Sequence, residues 1–141
     1  MAEREILFRA KAINRDEGYH RTKYKNGDWV YGLVTRLYDE RFENLPAEMT
    51  NVNGVSGIEV DYKTIGQYTG LTDKNGDKIF EGDIVRAFTR FSEIYVSPVV
   101  YHDGTFWFKN WSWTKFFFKF EKIEIIGNIY DNPEILKCPS P

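Results

Sequence analysis

The chain has one cysteine, Cys138, and two histidines, His20 and His102, among 141 residues. A single thiol closes no internal disulfide, so the fold must be held by its core, as suits a reducing compartment. Two histidines and one distant cysteine make no metal-ligand spacing, and no metal or other cofactor is expected. Charge of one sign is missing too. The net charge is −2, with 10 basic and 11 acidic side chains in residues 1–70 and 9 and 10 in residues 71–141. A duplex-binding domain draws affinity from a basic excess, and neither half has one. No apolar run reaches the roughly 18–20 residues that cross a bilayer, so no membrane partner is expected. Met1-Ala2-Glu3-Arg4-Glu5 is charged where a secretory leader would be apolar. The reading is therefore cytoplasmic.

Catalytic patterns are scarce. Asp73, Asn75 and Asp77 have the spacing that opens an EF-hand loop, but that loop needs Gly where Lys78 stands and Glu where Ile84 stands. Gly54-Val55-Ser56-Gly57 lacks the fifth position of a nucleophile elbow and reads as a loop. Glu81 and Asp83 are a common turn pair, and no glycine-rich phosphate loop is present. The expectation is a protein that is not an enzyme.

What the sequence has in plenty is aromatic side chains, 17% of the chain, which favour pleated strands. Short extended runs alternate with turn signals. Strands are expected over Glu5–Ile13, Trp29–Tyr38, Ile58–Tyr62, Ile65–Tyr68, Lys78–Phe80, Ile84–Phe91, Tyr95–Tyr101, Thr105–Lys109 and Phe116–Ile126. Trp29–Tyr38 is apolar on both faces at its start, which suggests burial on both sides. The expected breaks are Asn26-Gly27, Asn53-Gly54, Asp73-Lys74-Asn75-Gly76, Glu81-Gly82-Asp83 and His102-Asp103-Gly104. A short helix is expected around Pro46–Met49. A second is expected after Asn132, with Asn132 as cap and Pro133 in its first position.

Two stretches invite a binding reading. Along an uninterrupted strand, Trp107, Lys109, Trp111, Trp113 and Lys115 share one face, and lysine interleaved with aromatics is the pattern of a single-strand nucleic-acid platform. The alternative is that this aromatic bulk fills a core or a subunit interface. Arg9 to Lys25 holds the one local basic excess and reads as a solvated loop.

The run Thr64-Ile-Gly-Gln-Tyr-Thr-Gly-Leu-Thr-Asp-Lys-Asn-Gly-Asp-Lys-Ile-Phe-Glu-Gly-Asp-Ile-Val85 closely resembles the central signature of YopX-like phage and prophage proteins. Ile6–Ala10 is similar to the N-terminal strand of that family, and Gly127–Glu134 to its C-terminal signature. Lys11 and Phe80 depart from it, standing where an aromatic and a tyrosine are common. The resemblance implies a β-rich fold, a phage or prophage origin and residence in the bacterial cytoplasm. It implies no chemistry and carries no catalytic residue across. Read physically, the signature is two turns flanking a strand. Gly70, Gly76 and Gly82 serve backbone geometry, and Asp73, Asn75, Glu81 and Asp83 serve the turns.

The expected fold is all-β: an N-terminal β lobe over about 1–62, then an SH3-like small barrel from about Thr64 to Tyr130 whose short C-terminal helix completes the lobe to 141. Together they form a single YopX-like domain over 1–141. The expected function is binding as a homo-oligomer. The alternative is a single-stranded nucleic-acid module.

Overall fold

The computed structural model describes residues 4–14, 23–37, 46–89, 94–108, 111–112 and 120–137. They are built almost wholly from antiparallel strands, so the all-β expectation holds. The chain divides into two compact units, Met1–Gln67 and Tyr68–Pro141.

The first unit contains β1 (Phe8–Lys11), β2 (Trp29–Arg36), β3 (Ala47–Asn51), β4 (Ile58–Val60) and a single 3-10 turn, Tyr62–Thr64. The strands pair in the order β4-β3-β2-β1. The pairing then closes on itself. Ala12 bridges Val60, the Ile13 amide donates to the Glu59 carbonyl at 2.9 Å, and the Asp61 amide donates to the Lys11 carbonyl at 2.9 Å. The outer edge of β4 is thus filled by the residues at and just past the end of β1. Inside the ring, Ala10, Ala12, Val30, Ala47, Met49, Ile58 and Val60 are buried. Alanine at three of these positions lets four strands approach closely enough to exclude water.

Two expectations fail here. Pro46–Met49 is not helical, because residues 47–51 form β3. Ala47 and Met49 are buried while Glu48 between them is not, a period of two that only a strand provides. The start of β2 is not buried on both sides: Val30 is fully buried, but Tyr31 is 38% exposed and Leu33 50%.

The chain passes into the second unit within β5 (Gly66–Thr72). Gly66 and Gln67 pair with Arg9 and Phe8. Tyr68 and Thr72 pair with Phe80 and Lys78 of β6 (Lys78–Phe80). The register shifts between those two pairs, and Gly70, with φ +89°, lies within the shift. The rest of the unit is a sheet in the order β10-β9-β8-β7-β11. Its strands are β7 (Asp83–Thr89), β8 (Ile94–His102), β9 (Thr105–Phe108), β10 (Trp111–Ser112) and β11 (Phe120–Asn128). Ile79, Val85, Ala87, Val99, Phe108 and Ile123 form its core, with Phe106 and Ile125 packed against them. The β8–β9 hairpin turns on Asp103 (φ +51°) and Gly104 (φ +78°), the pair of positive φ angles that a two-residue turn between twisted strands requires. Residues Pro133–Lys137 form a 3-10 turn. Asn132 Oδ1 accepts from the Asn128 amide at 3.2 Å, so this side chain reaches back towards β11.

The closed ring of pairings is in the first unit. In the second, the described pairings run as an open order from β10 to β11.

Candidate binding surface

The signature turns come first, because their polar atoms are committed to the backbone. Asp73 is 7% exposed. Its Oδ1 accepts from the Asn75 amide at 2.9 Å and the Asp77 amide at 3.0 Å, closing the turn. Its Oδ2 accepts from the Ile125 amide at 3.1 Å, in β11. The neighbouring Lys74 amide donates to the Ile123 carbonyl at 2.8 Å. The carboxylate acts as a piece of strand, taking a donor at the outer edge of β11. It is no calcium ligand in this arrangement, since both oxygens already accept backbone N–H groups. Gly76, with φ +84°, completes the turn.

The second turn follows the same logic. Asp83 is 2% exposed, and its Oδ2 accepts from the Phe80 amide at 2.7 Å. Gly82 has φ +91°, and an added Cβ would stand 3.2 Å from the Tyr130 ring. Its amide donates to the Val99 carbonyl at 2.8 Å, and its carbonyl accepts from the Ile129 amide at 2.9 Å. Two residues thereby tie β8 to the C-terminal end of β11. Glu81, between the two turns, is half-buried.

A charged cluster lies beside the first turn. Arg86 Nη2 is 2.8 Å from Glu124 Oε2, and Lys74 Nζ is 3.5 Å from the same oxygen. The Arg86 hydrogen bond holds the Glu124 carboxyl below its ordinary range; Lys74 acts in the same direction, and partial burial opposes both. A carboxylate with a lowered folded pKa contributes stability that is present above its unfolded pKa and lost as pH falls through the folded one. Glu124→Gln should therefore flatten the acid side of the stability profile, below the ordinary carboxylate pKa of about 4.3. Thermal melts across a pH series check this. A wild-type acid limb as flat as the variant's would remove the claim.

The tryptophan–lysine stretch does not form one described face. Lys109, Trp113 and Lys115 lie outside the described residues. Trp107 and Trp111 are described by backbone only. Trp111 pairs with Phe108, whereas Trp107 pairs with Ser112 and Val100. Cross-strand partners share a face of an antiparallel pair. The two tryptophans therefore take alternate register positions, not the common one that an uninterrupted strand would give. The chain reverses between β9 and β10, and that changes the parity.

In the first unit, Trp29 has its ring beneath two cations of its own chain. Arg9 Cζ lies 4.4 Å from the ring centroid and Lys11 Nζ 5.3 Å. Arg9, read from the sequence as part of a solvated run, is 6% exposed.

The surface that stands out lies on β8. Ile94 is 58% exposed, Val96 36% and Val100 39%, with half-buried Pro98 among them. Ser97 and Val99 point the other way and are buried. One face of a nine-residue strand thus offers an unbroken apolar stripe to water. The alternation was present in the sequence. However, Tyr95, Val99 and Tyr101 are apolar as well, so neither parity announced itself as the open one.

Among the described residues, no three of His, Cys, Asp and Glu come together as a metal site, and no helix is long and apolar enough to cross a membrane.

The family model described as "YopX protein" matches residues 8–137. The chain belongs to the YopX family. That match takes in both turns, all eleven strands and the C-terminal 3-10 turn. A crystal structure of protein EF1440 from Enterococcus faecalis is similar, with a TM-score of 0.56 and 24% identity, covering 95% of this chain and 99% of that one. At that identity the likeness shows a shared fold. No curated protein matches. Within this YopX chain, the hydrogen bonds of Asp73 and Asp83 assign the signature a structural task.

Proposed function

We propose that this YopX-family protein is a phage or prophage accessory protein of the host cytoplasm that acts by binding rather than catalysis, as a homo-oligomer. The observation that carries the reading is the apolar stripe of Ile94, Val96, Pro98 and Val100 on β8. Contiguous apolar surface on a folded chain marks an interaction site more often than it marks a reaction site. The committed carboxylates of Asp73 and Asp83 support the same reading, because their oxygens hold backbone rather than face a substrate.

Sedimentation equilibrium tests it. The wild-type chain should sediment as an oligomer, and Val96→Lys should shift it to monomer with an unchanged circular dichroism spectrum. A wild-type protein that stays monomeric at every concentration would end the oligomer reading. Single-stranded DNA binding at low salt that weakens as salt rises would favour the nucleic-acid module instead.

A further inference from the structure

We infer that two copies of the chain pair face to face across β8, running antiparallel about a two-fold axis that passes between Val96 and Pro98. The inference rests on the oligomeric reading above and adds the partner and its orientation.

The stripe has the symmetry such a contact needs. A two-fold interface uses one patch twice, so the patch must complement its own rotated copy. Ile94 and Val100 are the two ends, both branched at Cβ and both exposed. Val96 and Pro98 are the middle, both compact and apolar. Rotation about an axis between the middle pair brings Ile94 over the partner's Val100 and Val96 over the partner's Pro98. Every apolar group then meets an apolar group. A parallel arrangement would not be closed by a two-fold axis lying across the strand.

The charges beside the stripe fit the same occupant. Val96 pairs with Arg86, and Arg86 pairs with Glu124. The guanidinium is already held by that carboxylate at 2.8 Å. A second copy therefore meets a neutralised border and no repulsion. A nucleic acid would need that cation for its own phosphates.

The geometry sets a distance test. Six residues of strand separate Ile94 from Val100, so the stripe is about 20 Å long, while packed sheets lie about 10 Å apart. Ile94 and the partner's Val100 then sit about 10 Å apart. Like positions at the ends are separated by about the length of the stripe. The experiment uses the full chain carrying Cys138→Ser. Ile94→Cys and Val100→Cys are made separately in that background, and each is treated with a bis-maleimide of about 10 Å reach, alone and as a mixture. The mixture should give crosslinked heterodimer severalfold above the crosslinked dimer of either variant alone. Ile94→Cys crosslinking to itself as well as it does to Val100→Cys would overturn the antiparallel pairing. So would absence of any crosslink while sedimentation still shows an oligomer. A monomer by sedimentation would instead remove the oligomeric reading, and this inference with it.

Discussion

Replacing Asp73 with alanine should destabilise the protein by about 3–5 kcal/mol, measured by urea denaturation. Three backbone amides, those of Asn75, Asp77 and Ile125, lose one buried charged acceptor together. A hydrogen bond to a charged group contributes about 1.5–3 kcal/mol, and contributions through one side chain do not simply add. The damage has two parts. The turn loses its internal closure, and the outer edge of β11 loses the group that satisfies it. Asp73→Asn should recover only part of the loss, because its amide nitrogen cannot accept where an oxygen is needed. Asp77→Ala is the control: it removes an exposed carboxylate from the same loop, and the change should stay within about 0.5 kcal/mol. Equal effects from Asp73→Ala and Asp77→Ala would show that the signature turn does not hold the sheet.

The second large effect is expected at Gly32. An alanine Cβ there would lie against the Thr50 carbonyl oxygen, 2.8 Å from the Asn51 Cα and 2.9 Å from the Thr50 carbonyl carbon. All three are backbone atoms of β3, so no rotamer change relieves them. Gly32→Ala should cost about 3 kcal/mol or more, because overpacking a tight contact forces the strands themselves to move. The β2–β3 pairing would open, and hydrogen exchange at the Val30 and Met49 amides should accelerate with it. Gly54→Ala separates this steric cost from a purely conformational one. Gly54 has φ +85° with nothing near an added Cβ, and its substitution should cost about 1 kcal/mol. If Gly32→Ala proves the milder of the two, the close approach of β2 to β3 is not as described.

Much of the fold could be read from local chemistry. Asp103-Gly104 and Asn26-Gly27 marked tight turns because glycine tolerates positive φ, and the structure has positive φ at both glycines. The β6, β7, β8 and β9 strands follow runs bounded by such turns. Pro46–Met49 misled because a short segment gives few residues from which to tell a period of two from one of 3.6. What decided it was the interior of the ring, which takes Ala47 and Met49 and leaves Glu48 outside. That ring was invisible beforehand, since Ala12 and Val60 are far apart in sequence and nothing local states that they meet. The candidate surface was legible only as a composition. The sequence showed an apolar run from Ile94 to Tyr101. Which of its two parities faced water was settled by Phe108 and Val85, which fill the space on the other side.

A sheet normally advertises its rims to any extended chain that passes, and such rims seed fibres. Here the β4 rim is taken by Ala12 and Ile13, and part of the β11 rim is taken by Asp73 and Lys74. Growth by adding strands to those margins is obstructed by the molecule's own turns. Its broad sides remain open, so crowding should favour finite, closed assemblies over filaments.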